Sequence, residues 1–269
     1  MGSFADTTAV FRNEDGSYEA TVDGKWWVFR GPHGGYLTAM ILRALTEAID
    51  DPVRAIRSFT THFIAPPKEG PVEIFPTIER TGRSITYASA RLVQEGRTMA
   101  TSLAAFATPW ESDISYDYAS PPAVPPPDEC ARMPEANAML PAFVQNFDMR
   151  WGIGPMPYSG SQETTVGGWL RFAEPGAVDA SAAACLLDVW APAILPRATQ
   201  PVVAPTIDIT MHFRTPLPLP DAGVEDFYLF RLTSRLARDG FFEEDGDLWA
   251  ADGTLIAQCR QLAIALPVR

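Results

Sequence analysis

The stretch Arg30-Gly31-Pro32-His33-Gly34-Gly35-Tyr36 comes directly before a run of apolar residues at helical spacing. The run predicts a helix from the glycine turn to about Ile49, carried by Leu37, Met40, Ile41, Ala44, Leu45 and Ala48. Two glycines leave the first N–H groups of this helix open to a ligand oxygen, and the helix dipole favours negative charge there. The alternative is that the glycines only allow the helix to pack tightly on a sheet.

The length and composition describe a globular chain of two modules. It has 269 residues, of which 46% are hydrophobic and 11% aromatic. This length suits two units of roughly 130 residues, each able to bury its own core.

The net charge of −12 argues against a nucleic-acid partner, since a phosphate backbone needs a basic face. An anionic ligand would have to find local arginines against this unfavourable field. The polar N-terminus and the lack of a long apolar run predict a soluble cytoplasmic protein with no membrane contact. Cys130, Cys185 and Cys259 are odd in number and widely spaced, so we expect buried thiols with neither a disulfide nor a zinc site.

The chain repeats one order of elements. In the first half, strands at 17–22 and 25–29 precede the helix, and strands at 56–64, 72–80, 85–94 and 98–108 follow it. In the second half, strands at 148–153 and 166–172 precede a helix at 177–192 that Asp179 could cap. Strands follow at 207–214, 226–236, 241–250 and 254–266. Residues 134–150 otherwise look irregular or weakly helical.

A short repeated sequence supports an internal duplication. Residues 60–66 (TTHFIAP) match residues 210–216 (TMHFRTP) at a constant offset, with the same Thr, His, Phe and Pro positions. Each copy is then an α+β unit, one helix wrapped by an antiparallel sheet, and the two sheets could pair edge to edge.

A proline-rich stretch separates the copies. Five of the ten residues 119–128 are prolines, which lack a backbone donor and have a fixed φ. We therefore predict an N-terminal module at residues 1–118, a linker at 119–133 and a C-terminal module at 134–269.

This arrangement resembles the acyl-CoA thioesterase II family. The resemblance covers nearly the whole chain and is carried by Gly34-Gly35, residues 59–66, 82–84 and 207–213, Thr233-Ser234 ahead of Gly240-Phe241, and residues 252–257 followed by Gln261. It implies a double hotdog fold, in which two fused modules each wrap a long helix in a curved antiparallel sheet. It also implies hydrolysis of acyl-CoA to the free acid and CoA.

The family's catalytic Asp, Thr and Gln look like Asp208, Thr233 and Gln261 here. In that case Asp208 would accept a proton from water, while Thr233 and Gln261 would hold the water. The thioester carbonyl would bind N–H groups near Gly35 and Tyr36 at the helix start, together with Gly34 as substrate-binding residues. This arrangement requires neither a metal nor a cofactor.

Each of these residues also has a plain structural explanation. Asp208 could bond backbone at a strand start, and Thr233 and Gln261 are ordinary strand residues. The repeat places Ser58, Phe75 and Ala104 opposite the three, which predicts one working site. His33, beside the proposed oxyanion site, could act as a base, contact substrate or simply bond backbone in its turn.

Two other functions remain open. The fold could carry acyl chains or lipids without catalysis. It could also be a hotdog dehydratase or hydratase, although His33 has no acidic partner in its own turn. Exposed sheet edges make a homodimer plausible.

Overall fold

The computed structural model describes residues 3–134 and 140–267. Its α-helices in these ranges are α1 (Phe4–Thr7), α2 (Gly34–Ile49) and α3 (Ala180–Leu186). The helix predicted after the glycine turn is thus confirmed, and it begins at Gly34. Short 3-10 turns lie at Gly24–Trp26, Ala142–Asn146 and Leu195–Arg197.

Most of the remaining structure is antiparallel β-sheet. The strands of the first half are β1 (Phe11–Arg12), β2 (Tyr18–Val22), β3 (Ala55–Phe63), β4 (Gly70–Thr81), β5 (Ile85–Gln94) and β6 (Arg97–Ala107). Those of the second half are β7 (Ala131–Arg132), β8 (Phe147–Ile153), β9 (Thr165–Phe172), β10 (Val202–Val203), β11 (Thr206–Phe213), β12 (Tyr228–Thr233), β13 (Ala237–Arg238), β14 (Phe241–Trp249), β15 (Leu255–Ile264) and β16 (Leu266–Pro267).

The strand order is mirrored about the middle of one large sheet. From one side it runs β2-β4-β5-β6-β3, and it continues as β11-β15-β14-β12-β9. Strands β3 and β11 form the seam, where Thr60 lies opposite Thr210 and their hydroxyl oxygens are 3.0 Å apart. The expected edge-to-edge pairing of two repeated sheets is therefore confirmed.

Helices α2 and α3 both lie on the inner face of this sheet. Helix α2 packs on β4, β5 and α3, and the inner face of the seam is apolar, with Phe59 opposite Met211. Alternate residues of each strand point to the other, outer face. The face on which a side chain lies therefore decides whether it can reach the helix ends.

Two predicted elements need correction. Residues 25–29 were expected to form a strand, but Gly24–Trp26 is a 3-10 turn because the Asp23 side chain accepts the Lys25 N–H and its carbonyl accepts the Trp26 N–H. The second helix is shorter than the expected 177–192. Asp179 caps it as predicted, but it ends at Leu186, after which the Asp188 N–H turns back to the Cys185 carbonyl.

Residues 108–126 contain no helix or strand, in keeping with a connecting segment. The segment lies against the second half, where the Pro125 carbonyl accepts a hydrogen bond from the Trp169 indole at 2.8 Å. The module boundaries themselves stay predictions, and the part of the 134–150 expectation that falls on 135–139 lies outside the described residues. The three cysteines are buried and free. Within the described ranges, no helix is long and apolar enough to cross a membrane.

Candidate active site

The three residues first expected to act together do not lie together. Asp208 is directly opposite Leu262 on β15 and opposite His62 on β3, and both neighbours are exposed. Paired residues of an antiparallel sheet share a face, so Asp208 lies on the outer face. The expectation that it reaches the start of α2 is wrong.

Thr233 is also on the outer face. It pairs with Asp245 and Thr165, and its hydroxyl lies 3.2 Å from that of Thr165. Strands β15 and β14 separate it from the strand of Asp208. Three strand spacings place the two backbones roughly 14 Å apart, so Asp208 and Thr233 cannot hold one water between them.

Gln261 alone lies on the inner face. It is 5% exposed and pairs with Ile209 and Glu244, which are both buried. The hydroxyl of Thr206 donates a hydrogen bond to its Oε1 at 2.9 Å. Among the described residues, its Nε2 amide has no acceptor, so this group is available to donate to a ligand.

A β-bulge brings Thr206 to that face. Thr206 pairs with Ala263, whereas Asp208, two residues on, pairs with Leu262. The extra residue on β11 reverses the alternation, so Thr206 is on the inner side and Asp208 on the outer side. Strict alternation along the segment would have put both residues on one face, which is why the sequence did not single out Thr206.

The carboxylate that meets the start of α2 is that of Asp188, just beyond the end of α3. Its Oδ2 accepts the Gly35 N–H at 2.7 Å and lies 3.5 Å from His33 Nε2. Only 11% of its side chain is exposed. Burial raises the pKa of this carboxyl, while His33 and the Gly35 N–H act in the opposite direction. Such a group is a stronger base than a solvated carboxylate.

The end of α3 also contacts the strand of Gln261. The Cys259 thiol lies 3.5 Å from the Leu187 carbonyl. Leu187 directly precedes Asp188, and Cys259 is two residues before Gln261 on β15. Asp188 and Gln261 thus lie on elements that contact each other on the inner side of the sheet, and Thr206 is bonded to Gln261.

His33 and Tyr36 form the N-cap of α2 instead of an open binding site. The Tyr36 N–H donates to His33 Nδ1 at 3.1 Å, so the ring proton is on Nε2, which donates to the Asp188 carbonyl at 2.9 Å. The imidazole is 3% exposed and stacks on Phe143. Both ring nitrogens are occupied, so the turn explanation of this histidine fits the geometry.

The expected oxyanion donors also need correction. The N–H groups of Gly35 and Tyr36 are bonded to Asp188 and His33. Of the first three amides of α2, only that of Gly34 has no acceptor among the described residues. A thioester carbonyl at this helix end would therefore meet Gly34 first.

The glycines are needed because the helix ends approach closely. A Cβ on Gly35 would lie 2.7 Å from the Cys185 carbonyl oxygen and 3.0 Å from the Asp188 Cβ. A Cβ on Gly34 would lie 2.9 Å from Asp188 Oδ2. The glycines were expected either to allow tight packing or to leave the helix start open to a ligand. Here they allow tight packing, and this packing places the Asp188 carboxylate at the helix start.

The first repeat lacks the equivalent polar groups. It has the same bulge, which places Ile56 where the second repeat has Thr206, and Ala104 lies where the second has Gln261. The predicted pairs of Ser58 with Asp208 and Ala104 with Gln261 are confirmed. The pairing of Phe75 with Thr233 is wrong, because the register places Thr77 at that point.

A signal for Asp188 was present in the sequence. It is an acidic residue at the end of an apolar helical stripe, between Leu187 and Val189. Such a position in a buried helix is costly for a carboxylate unless it has partners. Those partners, Gly35 and His33, are more than 150 residues away and could not be seen locally.

Two family models match the chain. The acyl-CoA thioesterase N-terminal domain matches residues 23–107, and the acyl-CoA thioesterase C-terminal domain matches residues 127–265. No curated protein matches.

Solved structures resemble the chain over its full length. A protein of unknown function with a hotdog fold from Alicyclobacillus acidocaldarius is 28% identical, covers 100% of both chains and has a TM-score of 0.86. A candidate thioesterase II from Thermobifida fusca YX is 29% identical, with 98% of each chain covered and a TM-score of 0.82. The acyl-CoA thioesterase II TesB2 from Mycobacterium marinum, 19% identical over 99% of each chain with a TM-score of 0.75, supports the fold. The chain therefore belongs to the acyl-CoA thioesterase family, with a hotdog fold, and is a thioester hydrolase.

Proposed function

We propose that the protein hydrolyses acyl-CoA thioesters to the free acid and CoA at the inner site formed by Asp188, Thr206 and Gln261. This set replaces the Asp208, Thr233 and Gln261 set expected from the sequence. The observation that carries the proposal is the buried Asp188 carboxylate at the start of α2, hydrogen-bonded to Gly35. The matched families are named for acyl-CoA thioesterases, which supports CoA as the head group.

Asp188 acts as the general base. It takes a proton from a water molecule, and the resulting hydroxide attacks the carbonyl carbon of the thioester. The carbon–sulfur bond then breaks, and the proton on Asp188 passes to the departing thiolate. The balance is one thioester and one water consumed, with one acid and one thiol formed.

Gln261 and Thr206 orient the reacting groups. Because the Thr206 hydroxyl donates to Gln261 Oε1, the amide plane is fixed and Nε2 can donate to the water or the carbonyl oxygen. The N–H of Gly34, which has no acceptor in the described part of the chain, supplies a second donor for the developing oxyanion. Such donors typically contribute about 3 kcal/mol each.

The proposed architecture is a double hotdog, with one module at residues 1–118, a linker at 119–133 and the second module at 134–269. The mirrored strand order and the seam between β3 and β11 support it. The working site then draws Gly34 from one module and its polar side chains from the other. The apolar residues Ile56 and Ala104 support a single site per chain.

One observation favours the hydratase alternative, but the structure does not offer the histidine base that it needs. His33 does have an acidic neighbour, Asp188, which lies outside its own turn and comes from the end of α3. However, both ring nitrogens are engaged by the backbone, which leaves no free nitrogen to take a proton from substrate. Hydrolysis needs only the carboxylate.

Thiol release from acyl-CoAs of increasing chain length tests the proposal, with binding measured in parallel. We expect steady thiol release with a preferred chain length and CoA as product. Tight binding of acyl-CoA without thiol release at any length would instead identify a non-catalytic acyl carrier and contradict the proposal.

A further inference from the structure

A second buried carboxyl, that of Glu244, lies beside the proposed site. Glu244 is on the inner face of β14 and is 2% exposed. Its Oε1 accepts a hydrogen bond from the Ala193 N–H. Burial is the main cause that raises its pKa to about 8, and the charges of Asp188 and Glu243 add to the shift. An acid in such surroundings is mostly uncharged at neutral pH.

The repeat shows that the fold does not need a carboxyl here. Glu244 pairs with Gln261 on the neighbouring strand. At the equivalent place in the first repeat, Ala88 pairs with Ala104, and both are buried alanines. The same sheet therefore forms with a methyl group at this point, although burying a carboxyl costs free energy. The costly residue occurs only in the repeat with the polar site.

Its contacts join the two parts of the site. Cross-strand neighbours have Cβ atoms about 5 Å apart, so Glu244 lies next to Gln261. Through Ala193 it also holds the segment that leaves Asp188, five residues earlier in the chain. The carboxyl thus connects the strand of the amide to the segment that carries the base.

We propose that Glu244 is a positioning residue for thioester hydrolysis, which fixes the segment after Asp188 against the strand of Gln261 and must stay uncharged while Asp188 is ionised. This inference rests on the proposed function. Its physical basis is that two neighbouring carboxyls in one apolar region do not readily ionise together. Ionisation of Glu244 would place a second negative charge near the base and disfavour the developing oxyanion.

The titratable groups around Glu244 come from four elements. Asp188 lies after α3, and His33 contacts Asp188 from the start of α2. Glu243 precedes it on its own strand, and Cys259 lies on β15, with its thiol pKa raised mainly by burial and also by Asp188 and Glu244.

The test is the pH profile of thiol release from an acyl-CoA between pH 6 and 9, for the wild-type protein and three variants. Glu244→Gln keeps an acceptor for the Ala193 N–H but cannot ionise. Glu244→Ala copies Ala88 of the first repeat. Glu243→Gln is the matched control, because it removes the adjacent carboxyl from the opposite face.

We expect wild-type kcat to fall at pH values above about 8, whereas Glu244→Gln keeps its neutral-pH rate within about threefold and shows no such fall. Glu244→Ala should lower kcat about tenfold at all pH values, with KM changed less than twofold. Glu243→Gln should keep the alkaline fall, displaced to slightly lower pH because the charge of Glu243 adds to the raised pKa of Glu244. If the wild type is active and kcat of Glu244→Gln falls above pH 8 as it does in the wild type, the proposed role of Glu244 is overturned while the proposed function stands. Absence of thiol release by the wild type would overturn the proposed function itself.

Discussion

The carboxylate of Asp188 accepts the backbone N–H of Gly35 at 2.7 Å. This bond joins the end of the second repeat's helix to the start of the first repeat's helix. The N-terminus of the 16-residue helix α2 carries a partial positive charge, which stabilises an anion there. The duplication thus matters for function, because each repeat supplies one half of the contact.

The hydroxyl of Thr206 can be tested separately from that of Thr233. Thr206→Val removes the hydrogen bond to Gln261 and should lower kcat by about 10- to 100-fold, less than the roughly 10²- to 10³-fold loss typical of a donor that contacts the oxyanion itself, because Thr206 acts through Gln261. Thr233→Val makes the same chemical change on the outer face and should leave kcat within about twofold. Steady-state thiol release from an acyl-CoA measures both.

An equal loss in the two valine variants would contradict the placement of Thr206 at the site. Circular dichroism of each variant serves as the control for folding, since both positions lie in strands.

The close approach of the helices predicts a large effect of one methyl group. Gly35→Ala puts a Cβ 2.7 Å from a backbone carbonyl oxygen, so the helices must move apart, at a cost of about 1–3 kcal/mol. Gly176→Ala is the matched control, because no atom lies within 4 Å of the added methyl group. Urea unfolding measures the free energy of unfolding of both. Equal stability of the two variants would show that α2 and α3 are not tightly packed at Gly35.

The buried Glu244 predicts how stability depends on pH. Its pKa is raised from 4.5 to about 8 in the folded protein. Between these values the folded state binds more protons than the unfolded state, so the free energy of unfolding falls as pH rises. One pKa unit corresponds to about 1.4 kcal/mol, so the loss is on the order of a few kcal/mol.

Glu244→Gln should remove the contribution of Glu244 to the pH dependence of the free energy of unfolding. We expect the free energy of unfolding of the variant to exceed that of the wild type at pH 8.5. The difference should be smaller at pH 5, and urea unfolding at both pH values measures it. Asp188, whose pKa is also raised, contributes a slope of the same sign in both proteins, so the difference between them measures Glu244 together with its interaction with Asp188. Parallel curves for the two proteins would show that Glu244 is not buried as an acid.

Much of the fold could be predicted from the sequence, because it depends on local and periodic signals. The apolar spacing after Gly35 predicted α2, and the echo between residues 60–66 and 210–216 predicted an internal duplication, although it did not show that the seam would run between these two segments. The failed strand at residues 25–29 has an apolar pattern, but the side chain of Asp23 turns the backbone there.

The site was harder to predict because its geometry depends on register and on distant contacts. Gln261 was named only as a catalytic candidate, and it is the one of the three candidates that lies on the inner face, although its catalytic role stays a prediction. A single bulge exchanged the faces of Thr206 and Asp208. Asp188 gains its partners only when the two helices meet, and no periodicity along the chain reports that contact.

The most direct test of the account compares Asp188→Asn with Asp208→Asn in thiol release from an acyl-CoA. Both changes remove one charge and keep the size of the side chain. We predict that Asp188→Asn lowers kcat by about 10²- to 10⁴-fold, while Asp208→Asn, on the outer face, stays within about twofold of the wild type. Full activity of Asp188→Asn, or a comparable loss in Asp208→Asn, would contradict the placement of the site at the meeting point of the two helices.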